Sequence, residues 1–450
     1  MKQSYDTVLQ AVESYQDTIL AAERHIWKNP ETGFKEWKTH AYLKSKYEEL
    51  GYTVTEAGNI PGFWTDVDTG RPGPRIAVFG ELDALIIPTH PECDPQTGVV
   101  HACGHHCQSA ALLGVAAALK VPGVLDGLCG SIRLIAVPAE ESEELDFRKD
   151  LRKQGVIRYL TGKQEFMARG VLDGVDIALM VHTAVDESGL CCGGGSNGVI
   201  LKKATFLGTA AHAAGSPHLG INALQAATCG IQLTSALRET FPETEYIRFH
   251  PIIAKGGDTI STITDHAVVE SFLAAASIDT LFRENLKVNR AFASAAAAMG
   301  AQVVLEDLFG YAPFKHDPNL KEMVRQIGVE LLGEENVHFT NTWSGGATDM
   351  GDVSCVMPTV HPEIGGSSGT DHSKDYYITD PVMACVVSAK VQCAMLVRLL
   401  ENDGAEAKRV LNEGRQDYPT IPEYLAQIDA MCIDKQAVVY DEERGTKLTF

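Results

Sequence analysis

Between residues 101 and 107 the chain reads His-Ala-Cys-Gly-His-His-Cys, placing three imidazoles and two thiols within seven positions. Thiolates and imidazoles are borderline ligands that suit zinc, and carboxylate oxygens added to them extend the choice to manganese or cobalt. Cys103 and His105 stand two apart, a spacing that diverges on a helix. They meet on one ion only if the chain is extended or turned between them, which Gly104 permits. Carboxylates come from elsewhere, as Glu81-Leu-Asp83 and as the adjacent pair Glu140-Glu141 behind Pro138. An adjacent pair suits a division of labour. One carboxylate binds metal, and the other takes a proton from water whose pKa the ion has lowered toward about 7. That chemistry hydrolyses amide bonds. A closed zinc knuckle or a set of buried thiols would also use the cysteines and histidines, but it leaves Glu140-Glu141 without a purpose. Glu143 and Glu144, further along the same acidic run, read as solvated surface.

The elements that must position these groups are short apolar runs. Arg75–Gly80, Gly130–Val137 and Val175–Val181 read as buried strands. Glu81 and Asp83 follow the first, Glu140 and Glu141 the second, and His182 the third. The Cys/His cluster runs into Ser109–Leu119, a helix of small apolar residues. In open parallel sheets functional groups gather beyond the carboxyl ends of the strands, so four segments deliver ligands to one edge. Helices are expected at 6–27 and 36–50, the second stopped by Gly51. The alternation predicts a mostly parallel α/β sheet with helices on both faces.

The middle of the chain changes style. Lys203–Gly208 reads as a strand, Asn222–Phe241 as a helix, and Tyr246–Ala254 and Ala267–Ala274 as strands. A helix at Ile278–Met299 and a strand at Gln302–Leu308 complete a ferredoxin-like βαββαβ unit. It is inserted, because helices at Asn319–Leu332 and Pro381–Leu400 resume the α/β pattern. The expected organisation is a catalytic domain in two parts, 1–198 and 311–450, around an inserted domain at 199–310.

Composition narrows the partners. At 450 residues the chain exceeds one ordinary core, and 45% apolar residues is a globular composition. A net charge of −21 argues against nucleic acid. No run of about eighteen uninterrupted apolar residues suggests a membrane helix, and MKQSYDTVLQAVESYQ lacks the apolar core of a signal peptide. The eleven cysteines read as reduced thiols. A cytoplasmic protein acting on a small molecule, with no membrane or nucleic-acid partner, is expected.

Taken in order, the segments resemble the metallopeptidase superfamily of aminoacylases, carboxypeptidases and dipeptidases. They are most similar to its amidohydrolase branch of aminobenzoyl-glutamate and auxin-conjugate hydrolases. The likeness is carried by Asn29-Pro-Glu-Thr-Gly33, Gly80-Glu-Leu-Asp-Ala-Leu85, His101-Ala-Cys-Gly-His105 and Pro138-Ala-Glu-Glu141. It continues through Gly208-Thr-Ala-Ala-His-Ala213, Pro217-His-Leu-Gly-Ile-Asn222, Thr348-Asp-Met-Gly-Asp352 and His372-Ser-Lys-Asp-Tyr376. The resemblance implies two divalent metal ions, zinc or manganese with cobalt as an alternative, on Cys103, His105, Glu141, His182 and His372. It implies Glu140 as general acid/base and Asp83 as the residue that orients a ligand. The inserted unit would be a lid and homodimer interface, with His212 reaching the partner's site to polarise the scissile carbonyl. The implied substrates are N-acyl amino acids, dipeptides or aminobenzoyl-glutamate-like conjugates.

The departures are specific. His106, Cys107 and Gln108 follow His105, where the branch has Asp or Asn first. His106 is expected in a supporting or solvent-facing place, and His101 and Cys107 as supporting or incidental. The lid's usual Asn-Val-Ile-Pro is Ser261-Thr-Ile-Thr264, and its arginine is replaced by Ala274. In relatives that asparagine and arginine hold the substrate carboxylate, and alanine has no donor. Either the substrate differs there, or Arg248 supplies the charge from the next strand. Two other readings stay open at this point: a metal-binding relative that no longer hydrolyses, and a cysteine hydrolase using Cys107 with His106.

Overall fold

The strand Arg75–Glu81 is the axis of the first part of the fold. Its neighbours Ser131–Val137 and Ile177–Leu179 run parallel to it, one on each side. Thr359–Val360 extends the parallel set beyond Ile177–Leu179. On the other flank, Phe63–Asp68 pairs antiparallel with Ser131–Val137, and Thr55–Glu56 closes that edge. Both central strands are buried on both faces after their first residue, which is why they read as unbroken apolar runs rather than as alternation. The computed structural model describes residues 2–414, 416–441 and 445–450.

Every residue of the helix His105–Leu119 is buried. Small side chains allow this, because sheet and helices approach it closely from several sides. A Cβ at Gly80 would press on Leu112, and one at Gly114 would run into Ile19. The expected helix at 6–27 is two helices, Lys2–Ser14 and Gln16–Trp27, broken where Tyr15 leaves helical geometry. The helix expected at 36–50 spans Trp37–Glu49. The last long helix opens with a π-helical turn, Val382–Val387, before the α-helix Ser388–Leu400. Together these form the one stretch among the described residues long and apolar enough to cross a membrane. Most of it is buried within the fold, as a core helix would be.

His182 does not end the strand that precedes it. It opens a separate strand, His182–Val185, parallel to Glu363–Ser368 in a second sheet. Contacts divide the chain into two compact units, the first made of residues 1–195, 314–343 and 348–422.

The second unit comprises residues 196–313, 344–347 and 423–450. Its sheet places Arg248–Lys255, His266–Ala275, Gly198–Leu207 and Gln302–Tyr311 side by side, all antiparallel. Helices Ala223–Ala236 and Ile278–Ala298 connect them, giving the βαββαβ order. The tail departs from the expectation that 311–450 all returns to the first part. Ile433–Gln436 adds a fifth strand beside Gln302–Tyr311. That segment, Ile-Asp-Lys-Gln, is largely exposed and carries little apolar signal.

Candidate metal centre

The site is built around a left-handed glycine. Gly104 has φ +85° and caps the helix that begins at His105. A Cβ there would strike the Thr183 hydroxyl and come within 2.8 Å of the Tyr376 hydroxyl, so the turn needs glycine. The turn brings Cys103 Sγ to 3.5 Å from His182 Nε2. His182 Nδ1 donates to the Thr183 carbonyl at 2.8 Å, which leaves the Nε2 lone pair facing the thiol. His105 Nδ1 is held by the Asp83 backbone carbonyl at 3.0 Å, and a carboxylate oxygen lies close to each ring nitrogen. Its Nδ1 lies 3.2 Å from Asp83 Oδ1, and its Nε2 lies 3.2 Å from Glu81 Oε2.

Asp83 also accepts the Glu141 backbone N–H at 2.8 Å through Oδ2. One carboxylate thus orients two of the expected ligands. Glu141 Oε1 lies 3.1 Å from His372 Nε2. His372 takes a left-handed φ of +58°, and its N–H is tied to the Ala102 carbonyl at 2.9 Å.

The donor atoms fall into overlapping sets, each with all members within 4.8 Å: Cys103, His105 and His182; Cys103, Glu141 and His372; His105, Glu140 and Glu141. Two observations test whether a cation fits. From zinc's usual bond lengths, tetrahedral ligand atoms stand about 3.3–3.6 Å apart, and the Cys103–His182 separation of 3.5 Å matches. Further, Asp83 Oδ1, His105 Nε2 and Glu141 Oε1 are buried yet make no hydrogen bond. Buried polar atoms that crowd without bonding are what a shared cation would reconcile.

The crowded acids, thiol and imidazole perturb one another strongly. Burial and then the charge of Glu81 push the Glu140 carboxyl well above its ordinary range. Burial and then Glu141 push the Cys103 thiol up. Burial opposes the His105 imidazolium, but Cys103 and Glu81 outweigh it and raise its pKa well above the usual value.

A buried lysine that sequence reasoning missed completes the surroundings. Lys163 is fully buried, with Nζ 2.5 Å from Glu81 Oε1 and paired also with Asp349. Its backbone N–H donates to Asp349 Oδ2 at 3.0 Å. The carboxylates of Glu81, Glu140 and Asp349 converge within 4.8 Å of one another. Burial raises the Asp349 pKa to about 6, against the pull of Lys163. A single lysine in Thr161-Gly-Lys163 offers no sequence signal, since lysines are almost always exposed.

The remaining cluster residues point away. His106 is fully buried rather than solvent-facing, with Nε2 3.4 Å from Glu23 Oε1 and Cys107 Sγ at 3.5 Å. His101 is buried as well, its ring 5.1 Å from that of His106. Glu143 and Glu144 are not plain surface. Glu143 accepts the Ile86 N–H at 3.0 Å, while Glu144 pairs with Lys35 at 2.6 Å and with the Thr32 hydroxyl.

His212 belongs to the second unit and is exposed. It sits opposite Thr262 in a two-residue ladder. Its Nδ1 accepts the N–H groups of Ala214 and Gly215 at 3.2 and 2.9 Å, so the neutral ring carries its proton on Nε2. Ser261 is exposed and Ala274 is buried. Arg248 is the direct cross-strand partner of Ala274.

A sequence model of peptidase family M20/M25/M40 matches residues 77–398. The chain is 26% identical to the Xaa-Arg dipeptidase of Homo sapiens over 388 residues, covering 82% of this chain and 81% of that protein. It is 30% identical to the N-acetyl-L-cysteine deacetylase of Bacillus subtilis over 323 residues, 68% of this chain and 71% of that one. Among solved structures, a dinuclear metal binding peptidase from Bacillus subtilis aligns with a TM-score of 0.67 at 19% identity. That alignment covers 86% of this chain and 99% of the other.

Proposed function

The chain belongs to peptidase family M20/M25/M40 and is a metal-dependent hydrolase of amide bonds in acyl amino acids and dipeptides; we propose that Cys103, His105, Glu141, His182 and His372 hold two divalent ions at its centre. The observation that carries this reading is that Cys103 and His105 are each shared between two overlapping donor sets, the last of which includes Glu140. Zinc or manganese, with cobalt as the alternative, suits the mixed sulfur, nitrogen and oxygen donors. Such ions supply a Lewis acid and a water acidic enough to react at neutral pH.

The chain's own groups do the rest. Glu140 accepts the proton from water and returns it to the leaving amine nitrogen. Its raised pKa suits both halves of that exchange. Asp83 holds His105 and the Glu141 backbone in register, so the donor set is prearranged. Lys163 compensates the charge of Glu81 and Asp349 behind Glu140.

We assign residues 199–310 as a lid and homodimerisation domain, and His212 as the group that polarises the scissile carbonyl in the partner's site. Two features support this. His212 Nε2–H is left as a donor by the two contacts to Nδ1. Among the described residues the strand Arg248–Lys255 leaves one edge unpaired, with Ile252 and Ile253 exposed on it. The pairing of Arg248 with Ala274 across the strands supports Arg248 as the alternative cation for a substrate carboxylate, the other case being a substrate that carries none there. The eleven cysteines, all free, support a reducing cytoplasmic setting.

The test is a panel of N-acyl amino acids, dipeptides and aminobenzoyl-glutamate amides, assayed with added Zn²⁺, Mn²⁺ and Co²⁺. Turnover of at least one class, abolished by a chelator and restored by metal, is expected. Binding without product would instead support the second reading, a metal-dependent binding protein. Ser261 and Ala274, standing where the resemblance implies an asparagine and an arginine, motivate that reading.

A further inference from the structure

The helix Leu145–Lys153 follows the acidic run, and its one buried side chain is Arg148, 1% exposed. A helix ordinarily docks through an apolar stripe, and an arginine is almost never fully buried without partners. Arg148 directs its guanidinium at two backbone carbonyls. Nη1 donates to Leu160 at 2.8 Å, and Nη2 donates to Glu141. Its Cζ also stands 5.5 Å from the centroid of the Phe34 ring. The helix is thus fastened to the centre by a cation rather than by a hydrophobic face.

The turn that Arg148 grips has an uncommon shape. Glu140 and Glu141 follow the strand Ser131–Val137, and on a continuing strand neighbouring side chains point to opposite faces. Here an oxygen of each lies within 4.8 Å of the other and of His105. The chain brings them together by bending at Ala139, which takes a left-handed φ of +56°. A residue with a side chain persists in that conformation only where its surroundings impose it, and such residues gather at active sites.

The surroundings are specific. Glu36, fully buried, accepts the Ala139 N–H at 2.7 Å through Oε1. The Ala139 carbonyl accepts the Gly162 N–H at 3.0 Å. A Cβ at Gly33 would run into both Arg148 Nη2 and Ala139 Cβ, so the chain at 33–36 packs against the bend and the guanidinium together. Asp83 takes the N–H of Glu141, and Arg148 takes its carbonyl. All of these residues belong to the first unit.

We propose that Arg148 is a positioning residue for the reaction. With Glu36 it clamps the bend at Ala139 from either end, and so aims the Glu140 carboxylate at the proton it must move. The proposal rests on Glu140 as the acid/base. Arg148 acts through the backbone of Glu141 and touches no reacting atom, and the helix Leu145–Lys153 is the latch that carries it.

The experiment compares full-length Arg148→Met and Arg148→Lys, each alone and combined with Glu140→Gln, at saturating metal and with kcat expressed per metal-loaded centre. Methionine keeps the apolar stem without a donor, and lysine keeps the charge without the planar fork. A catalytic group misplaced by about 1 Å loses on the order of 10²-fold in rate. Arg148→Met should show that loss in kcat with KM little changed, and Arg148→Lys should lie between it and the wild type. In the Glu140→Gln background neither substitution should cost more than a few-fold further, because nothing is left to aim. Hydrogen exchange followed by mass spectrometry should show residues 145–153 losing protection in Arg148→Met, a readout independent of turnover. An arginine that served stability alone would lower Tm and leave kcat per loaded centre unchanged. That result overturns the proposal, as does a loss that multiplies in the Glu140→Gln background, or unchanged protection of 145–153. Should Arg148→Met fail to fold, Arg148→Lys carries the same tests, and wild-type kcat there overturns the proposal. Normal turnover of Glu140→Gln would sink the acid/base reading and the clamp with it. Wild-type kcat in Arg148→Met beside a crippled Glu140→Gln would sink the clamp alone.

Discussion

Lys163→Met keeps the apolar stem of the side chain and deletes the ammonium between Glu81 and Asp349. All three side chains are at most 1% exposed. The screening that holds surface pairs to under about 1 kcal/mol is therefore absent. Removing one partner of a buried ion pair costs about 3–5 kcal/mol. Proton uptake eases that loss in acid. Burial already raises the Asp349 pKa to about 6 in the folded protein, with Lys163 pulling it down. A carboxyl whose folded pKa exceeds its unfolded value binds more protons when folded, so stability falls as pH rises between the two values.

In the wild type that window closes near pH 6. Without Lys163 it extends higher, because the group that lowered the pKa is gone. The stability gap should therefore be smaller at pH 5 and grow to about 3–5 kcal/mol above neutrality. Urea unfolding followed by tryptophan fluorescence at pH 5, 7 and 8.5 reads this directly. All four tryptophans, at 27, 37, 64 and 343, lie in the first unit, so the signal reports the unit that contains Lys163. A gap under about 1 kcal/mol at pH 8.5, the value of a surface pair, would refute the reasoning. So would a gap that does not change with pH.

Three further outcomes follow from the geometry. Asp83→Asn, which disturbs the contacts to His105 and to the Glu141 backbone, should weaken metal binding about 10–100-fold in a chelator-competition titration; unchanged affinity would deny Asp83 its orienting role. Gly104→Ala places a Cβ against the Thr183 hydroxyl at φ +85°. It should displace Cys103 and show weakened metal binding in the same titration, whereas native affinity would mean the turn tolerates an L side chain. Mixing inactive Glu140→Gln and His212→Ala chains should restore part of the activity if the site is shared between subunits. No recovery despite demonstrated subunit exchange would count against His212 acting across a dimer.

Much of the site was legible because parallel strands are buried on both faces. Arg75–Glu81 and Ser131–Val137 announce themselves as apolar runs, and the acids just beyond them had to lie at the sheet's carboxyl edge. Gly104 was legible through the spacing of Cys103 and His105. Other parts were hidden for physical reasons. His182 follows an apolar strand in sequence but starts a strand of another sheet, because Glu363–Ser368 offers it a parallel partner. Lys163 carries no pattern, since only its long-range partners Glu81 and Asp349 make its burial tolerable. The inward turn of His106 depends on Glu23, over eighty positions earlier, and adjacent residues on a helix start face different neighbours. The tail strand Ile433–Gln436 pairs through its backbone while its side chains stay mostly in solvent, so no hydrophobic period marks it.

The central claim is that Glu140 moves the proton at a centre whose metal other residues hold. Glu140→Gln keeps the shape of the side chain and removes its basicity. Measured with the substrate found in the amide panel, kcat should fall on the order of 10²–10⁴-fold, while elemental analysis shows the wild-type metal content. Turnover within a few-fold of wild type, at full metal content, would contradict the account.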